Sequence, residues 1–290
     1  MSTCPSLSST PTLAQALAWA SQQLAGTDES DGRIDAEFLL THLLQCSRSR
    51  LFSHADSLMA AADWQHFQTL VQRRIAGEPV AYITGKRGFW TLDLTVTPDV
   101  LIPRADTETL VESVLALADK NTSCTVVDLG TGSGAIALAI ASERPLWRVL
   151  ATDASACALQ VAQQNAAQYE LSRVEFFQGN WCAALPPDVA PDIIVSNPPY
   201  IAADDPHLQQ GDLRFEPITA LKADDNGLKD IRHITAEAAK LLKSGGILLF
   251  EHGYQQAEAV RQILHAAGLV QVQSLRDLAG HERVTQGVKP

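Results

Sequence analysis

The sequence predicts an α/β protein, a doubly wound parallel sheet preceded by a small helical module and a β-hairpin or extended linker. Three observations predict it. Before Gly77 the apolar residues recur at helical spacing, Thr91–Thr97 alternates Leu92, Leu94 and Val96 with polar residues, and from Cys124 onward short β-rich runs alternate with helix-length segments.

The helical module is read over residues 12–76. Leu13, Leu17, Ala20 and Leu24 share one helical face, as do Ala36, Leu39, Leu40 and Leu43, and then Trp64, Phe67, Val71 and Ile75. Gly26 and the polar run Thr27–Asp31 separate the first two helices. The aromatics Trp19, Phe52, Trp64 and Phe67 are expected in the core. Gly77-Glu78-Pro79 breaks the last helix, and Asp106-Thr107-Glu108 opens the next with a cap and an acidic first turn. The expected domains are a helical domain over 1–78, a hairpin or extended linker over 79–103 and an α/β domain over 104–290.

In the α/β domain the expected strands are 125–127, 149–151, 174–177, 193–195, 247–250, 270–274 and 282–286. Helices over 134–142, 155–168, 228–242 and 255–267 connect them. Alternation of this kind implies parallel pairing, with ligands at the carboxyl ends of the strands.

With 22 Lys and Arg against 33 Asp and Glu, the net charge is -11, a field that repels nucleic-acid phosphates. The basic pairs Arg48/Arg50 and Arg73-Arg74 read as solvated helix ends, and no direct nucleic-acid partner is expected. No run is long and apolar enough for a membrane span, and no export signal is visible. The five cysteines are scattered without C-x-x-C pairing, so no disulfide framework and no metal is expected, and the thiols fit a reducing cytoplasm.

Two motifs carry chemistry. Asp128-Leu129-Gly130-Thr131-Gly132-Ser133-Gly134-Ala135 follows a strand and opens a helix, so its glycines let a ligand approach the backbone. Asp153, at the end of the next strand, can hold the ribose hydroxyls of NAD or of S-adenosyl-L-methionine (SAM). The loop alone leaves that choice open.

Asn197-Pro198-Pro199-Tyr200 follows the strand ending at Ser196, and at average residue frequencies it would arise in roughly one chain per thousand of this length. Its prolines remove two N–H donors, leaving a segment rich in carbonyl oxygens. Such a segment suits a planar amide or amino nitrogen, whose delocalised lone pair attacks a methyl sulfonium poorly. Asn197 Oδ1 and the Pro198 carbonyl can each take one N–H, aiming the lone pair at the methyl group, while Tyr200 packs against the substrate. No strong general base is required, because the methylated nitrogen becomes acidic.

The blocks Ile102–Glu108, Asp128–Ala135, Ser196–Ile201, Phe215-Glu216-Pro217 and Glu251-His252-Gly253 resemble those of the bacterial release factor glutamine methyltransferases, the PrmC/HemK family. The resemblance runs from about Asp35 to Val284. It implies a seven-stranded, Rossmann-like, SAM-dependent methyltransferase domain that methylates the side-chain N5 of the glutamine in the Gly-Gly-Gln motif of peptide chain release factors. S-adenosyl-L-homocysteine would be the product. Gly130, Thr131, Gly132, Ser133 and Gly134 would lie along the methionine part of SAM, and Asp153 would hold its ribose. Asn180 and Trp181 would border the adenine, with Asn197 also against the cofactor. Asn197, Pro198, Pro199 and Tyr200 would grip the glutamine, and the N-terminal helices would dock the release factor. Two positions depart from the family pattern: Ala105 stands where Pro is usual, and Asn180 where Asp is usual. Asn180 can still accept a hydrogen bond from the adenine amino group, but without charge.

His252 and His207 lack ligand spacing to another His or Cys and read as structural or surface residues. Glu251 ends its strand with no assigned role. The rival enzyme is a nucleic-acid amino (adenine N6) methyltransferase, which poses the same planar-nitrogen problem but must extract the base from its stack. An NAD-dependent oxidoreductase fits the glycine loop and leaves Asn197–Tyr200 unexplained. A non-catalytic scaffold is at odds with an intact Asn197 and Asp153.

Overall fold

The computed structural model describes residues 10–26 and 31–290, so Cys4 and residues 27–30 of the polar run lie outside it. The structure divides into two units. The smaller runs to Gly85 and takes in Gln209–Phe215, and the larger holds Lys86–Leu208 and Glu216–Pro290.

In the smaller unit the helices are α1 (Leu13–Gln23), α2 (Gly32–Leu44), α3 (Arg48–Ser53), α4 (Ala61–Ile75) and α5 (Val80–Thr84). Thr12 and Gln15 form a reciprocal capping box at α1, and Asp31 caps α2 by accepting from Arg33 N. Leu24, Leu39, Leu40, Phe67 and Val71 are buried in one core, and the Trp19 and Trp64 rings meet edge-on at 4.9 Å. Phe52 is a correction: it stands 49% exposed. Its helix α3 has six residues and buries only Leu51, too short to present a second side chain inward. Ile75, in the last turn of α4, is exposed as well.

Arg74 corrects the reading of Arg73-Arg74 as a solvated helix end. Its side chain is 3% exposed, and it donates through Nε to Asp35 at 2.8 Å and through Nη1 to Asp212 at 3.0 Å. Asp212 belongs to the returning segment 209–215. Arg74→Met is expected to leave both carboxylates without this cation and to cost about 3–5 kcal/mol. A thermal melt checks this, and an unchanged midpoint would show the contacts to be idle.

The larger unit opens with a hairpin, β1 (Lys86–Phe89) and β2 (Leu92–Thr95), turning at Trp90, whose φ is +56°. A 3-10 turn, Ala105–Thr107, then leads into α6 (Glu108–Ala116) without any side-chain cap. The side-chain cap expected within Asp106-Thr107-Glu108 is therefore missing, although Glu108 does supply the acidic first turn, and the Asp106 carboxylate pairs with Arg283 at 3.2 Å. There follow β3 (Thr125–Leu129), α7 (Ala135–Glu143), β4 (Arg148–Asp153), α8 (Ala156–Gln168), β5 (Glu175–Gln178) and β6 (Ile193–Ser196). A short-element stretch comes next: β7 (Ile201–Ala202), α9 (Ile218–Leu221), β8 (Lys222–Ala223) and the kinked turn α10 (Asp224–Gly227). It is followed by α11 (Lys229–Leu241), β9 (Ile247–Glu251), α12 (Ala257–Ala266), β10 (Val270–Arg276) and β11 (Glu282–Val288).

Seven strands form one sheet in the order β10-β11-β9-β6-β3-β4-β5. The five from β3 to β9 are parallel, whereas β11 runs antiparallel between β9 and β10. The expected all-parallel sheet is thus mixed. The link from β10 to β11, residues 277–281, can close a hairpin but is too short for a parallel crossover. Successive residues fall into different cores: Val126, Ile193, Val195 and Leu249 pack on one face with α6 and α7, and Val127, Ile194, Leu248 and Phe250 pack on the other with α11 and α12. Burial on both faces explains why these strands are apolar throughout rather than alternating. Strand order reverses at β3 and β6, where such sheets open a crevice at the strand ends.

Candidate active site

A cleft of about 460 Å³ lies in the larger unit at the carboxyl ends of β3, β4, β5 and β6, within the size range of small-molecule sites. Gly130, Gly132, Asp153, Asn180, Trp181, Asn197 and Pro199 line it. Thr131, Ser133 and Gly134 stand behind that wall: Thr131 and Ser133 are buried, and a Cβ at Gly134 would press on Leu138 and Ala162.

The glycine loop is shaped by positive φ at Gly130 (+76°), Gly132 (+55°) and Gly134 (+86°), a region unfavourable to residues with a Cβ. At Gly130 a Cβ would meet Trp181 at 2.9 Å, while at Gly132 it would meet nothing within 4 Å. The loop is therefore tight against Trp181 and open over Gly132. Beneath it, fully buried Asp128 accepts from Thr131 Oγ1 at 2.6 Å and Ala137 N at 3.2 Å. Burial pushes its carboxyl up to about 7. Asn165, on α8, ties the loop to β2, donating to the Ser133 carbonyl and pairing with both backbone groups of Thr95.

Asp153 accepts from Gly132 N at 2.9 Å and Ser155 N at 2.8 Å, one bond to each carboxylate oxygen. Each oxygen keeps capacity for a further donor. Trp181 adopts φ +47°, and it lines the cleft together with Asp230 at the start of α11. Asn180 is exposed at the cleft rim.

Past β6, the Asn197 Nδ2 donates to Thr107 Oγ1 at 3.3 Å, and Tyr200 Oη donates to Glu251 Oε1 at 3.4 Å. Pro198 is buried, and Tyr200 lies behind the cleft rather than on its lining. Burial raises the Tyr200 phenol, with Glu251 adding to the shift. The Tyr200 carbonyl is clamped by Gln256 Nε2 at 3.0 Å, and Gly227 leaves room for it, since a Cβ there would stand 2.0 Å from that oxygen. Glu216 accepts from Ile102 N at 3.3 Å and from Arg104, joining two sequence blocks more than a hundred residues apart.

His252 is buried, with Nδ1 against the Gly253 carbonyl and Nε2 against Thr285 Oγ1. His207 is exposed and paired with Asp205. Among the described residues no cluster of His, Cys, Asp and Glu is arranged to hold a metal, and no helix is long and apolar enough to cross a membrane. The sequence reading missed Asp230, Thr107 and the stretch Pro98–Leu101, all brought to the site by tertiary structure. Only Thr107 stood within a block already singled out.

The sheet with its antiparallel final pair, and a glycine-lined cleft with an acid at the end of the next strand, define a Rossmann-like methyltransferase. Residues 15–85 match the PrmC N-terminal domain and residues 105–211 the methyltransferase small domain. The chain is 54% identical over 267 residues to the release factor glutamine methyltransferase of Xylella fastidiosa (strain Temecula1 / ATCC 700964), spanning 92% of this chain and 97% of that one. Identity to the release factor glutamine methyltransferase of Escherichia coli (strain K12) is 46% over 270 residues, spanning 93% and 97%. Among solved structures, a methyltransferase from Pyrococcus furiosus shares the fold, with a TM-score of 0.52 at 16% identity over 78% of this chain and 98% of that one. The chain belongs to the release factor glutamine methyltransferase family.

Proposed function

We propose that this protein transfers a methyl group from SAM to the side-chain N5 of the glutamine in the Gly-Gly-Gln motif of peptide chain release factors, in the cytoplasm. One observation carries the chemistry: Asn197 commits Nδ2 to Thr107, so Oδ1 is the atom left to accept a substrate N–H. The Pro198 carbonyl supplies a second acceptor. Two acceptors out of the amide plane favour a pyramidal nitrogen with its lone pair directed into the cleft, an arrangement that gains strength as positive charge builds on that nitrogen.

SAM, when bound, supplies an electrophilic methyl sulfonium. The open face of Gly132 and the unfilled acceptor capacity of Asp153 fit its methionine part and its ribose hydroxyls. Gly130 borders the same path, and Thr131, Ser133 and Gly134 hold the loop in shape from behind. Trp181, beside Asp230 in the cleft wall, offers a flat apolar wall to the adenine, and Asn180 offers an amide oxygen to its amino group. Pro199 and Tyr200 stiffen and back the glutamine grip.

Methyl-labelled SAM is to be offered with a release factor, with the same factor carrying Ala for the motif Gln, and with duplex DNA. Label confined to the unaltered factor is the expected result. Label on DNA, or on both factors equally, would overturn the reading.

A further inference from the structure

The turn before α11 holds a conformation that side chains disfavour. Asp225, Asn226 and Gly227 follow one another at φ +56°, +53° and +81°, the left-handed region, which residues with a Cβ visit singly rather than in runs. Such a run persists only where its surroundings enforce it. Arg232 Nε donates to Asp225 Oδ2 at 2.8 Å, and Gln256 Nε2 donates to the Asn226 carbonyl at 3.0 Å. Just upstream, β8 pairs with β7, the strand that follows Tyr200.

The strained turn achieves a close approach. Gly227 comes so near the end of Asn197–Tyr200 that a Cβ on it would stand 2.0 Å from the Tyr200 carbonyl oxygen and 2.6 Å from Gln256 Nε2. The same Nε2 donates its other proton to the Tyr200 oxygen at 3.0 Å, while Gln256 Oε1 accepts from Gly253 N at 2.9 Å. Both protons and the oxygen of this amide are engaged. Gln256, the residue before α12, thereby joins three segments: the one after β6, the turn before α11 and the one after β9.

We propose that Gln256 is a positioning residue for methyl transfer: with the left-handed turn Asp225–Gly227 it forms a socket for the Tyr200 carbonyl and so fixes the direction of the acceptors at Asn197 and Pro198. This deepens the glutamine-methylation reading and rests on it. Pro198 and Pro199 lock two successive φ angles, so the segment is short and stiff. Its near end is set by β6, where Ser196 pairs with Phe250 and its Oγ donates to the Leu129 carbonyl at 2.7 Å. Its far end is set by the socket. A stiff segment pinned at both ends cannot swing its acceptors, whereas one released at Tyr200 pivots about Ser196. Misplacing a catalytic group by about 1 Å costs up to about a hundredfold in rate. Tyr200, Gly227 and Gln256 stand outside the cleft lining, so the loss falls on the transfer step rather than on SAM binding.

The test compares Gln256→Met, which keeps the length of the side chain and removes its hydrogen bonds, with Gly227→Ala and with Gln255→Met. Gln255 is the control, since it is exposed and its amide donates to Tyr254 Oη at 3.0 Å. The readouts are kcat and KM with a release factor, SAM affinity by calorimetry, and thermal midpoint, with rates taken where every variant is folded. Gln256→Met is expected to lower kcat by about tenfold to hundredfold, with KM for the factor and SAM affinity within about threefold of wild type. Gly227→Ala is expected to lose at least as much, and Gln255→Met to keep the wild-type rate. If Gly227→Ala does not fold, Gln256→Met decides. A Gln256→Met protein that keeps wild-type kcat, that loses SAM affinity in step with rate, or whose loss is matched by Gln255→Met overturns the positioning role. A wild type that leaves the factor unmethylated overturns the substrate reading and the positioning role together, whereas an active wild type beside an unimpaired Gln256→Met overturns the positioning role alone.

Discussion

Asn197→Ala is expected to lower turnover by about a hundredfold or more while SAM binding stays nearly intact, the scale for losing one oriented polar group in a catalytic site. The amide sits at the end of β6 with its nitrogen committed to Thr107, and its oxygen is the one side-chain acceptor that Asn197–Tyr200 offers to a planar nitrogen. Removing it leaves the Pro198 carbonyl, which can orient one N–H but cannot force the nitrogen out of plane. Because that demand grows only as the new bond forms, the loss falls on kcat rather than on ground-state binding. Single-turnover kinetics with calorimetric SAM binding separates the two. A variant with wild-type turnover would remove Asn197 from the mechanism.

Asp153→Ala is expected to act on the other half of the reaction. Its carboxylate ties the loops after β3 and β4 together through Gly132 N and Ser155 N, and on the proposed reading the same oxygens would take two ribose hydroxyls. Hydrogen bonds to a charged group contribute about 1.5–3 kcal/mol each. Losing two such bonds weakens SAM by at least about a hundredfold. Calorimetric titration measures it, and an unchanged affinity would sink the assignment.

What could be read in advance follows a physical line. The glycine loop was legible because positive φ restricts the residue type, and Asn197–Tyr200 because two prolines and an amide side chain are a rare chemical requirement. Asp153 was legible because strand ends are where α/β sheets place ligands. Thr107 was not: from sequence it is a helix-start threonine, and only the packing of α6 against β6 and β9 brings it to Asn197 as an acceptor. Asp230 likewise gives no local signal, because it reaches the cleft only through the packing of α11 beside the turn that carries Trp181. The antiparallel run of β11 was hidden by the alternation of strands with helices, which implies parallel pairing throughout; the one signal against it is the short link from β10, residues 277–281. Arg74 looked like a surface cation because charge patterning sees neighbours along the chain, and its partner Asp212 lies 138 residues away.

The segment 209–215, counted with the helical unit although it is encoded inside the α/β part, bears on how such a protein can be recombined. A crossover at Gly85 respects the linear boundary between the two parts and violates the spatial one. It would hand Arg74 to a new host while leaving Asp212 behind. Two relatives can therefore exchange their N-terminal modules cleanly only if they also agree at this internal stretch, so the pair behaves in inheritance as one interlocked cassette rather than as two beads on a string.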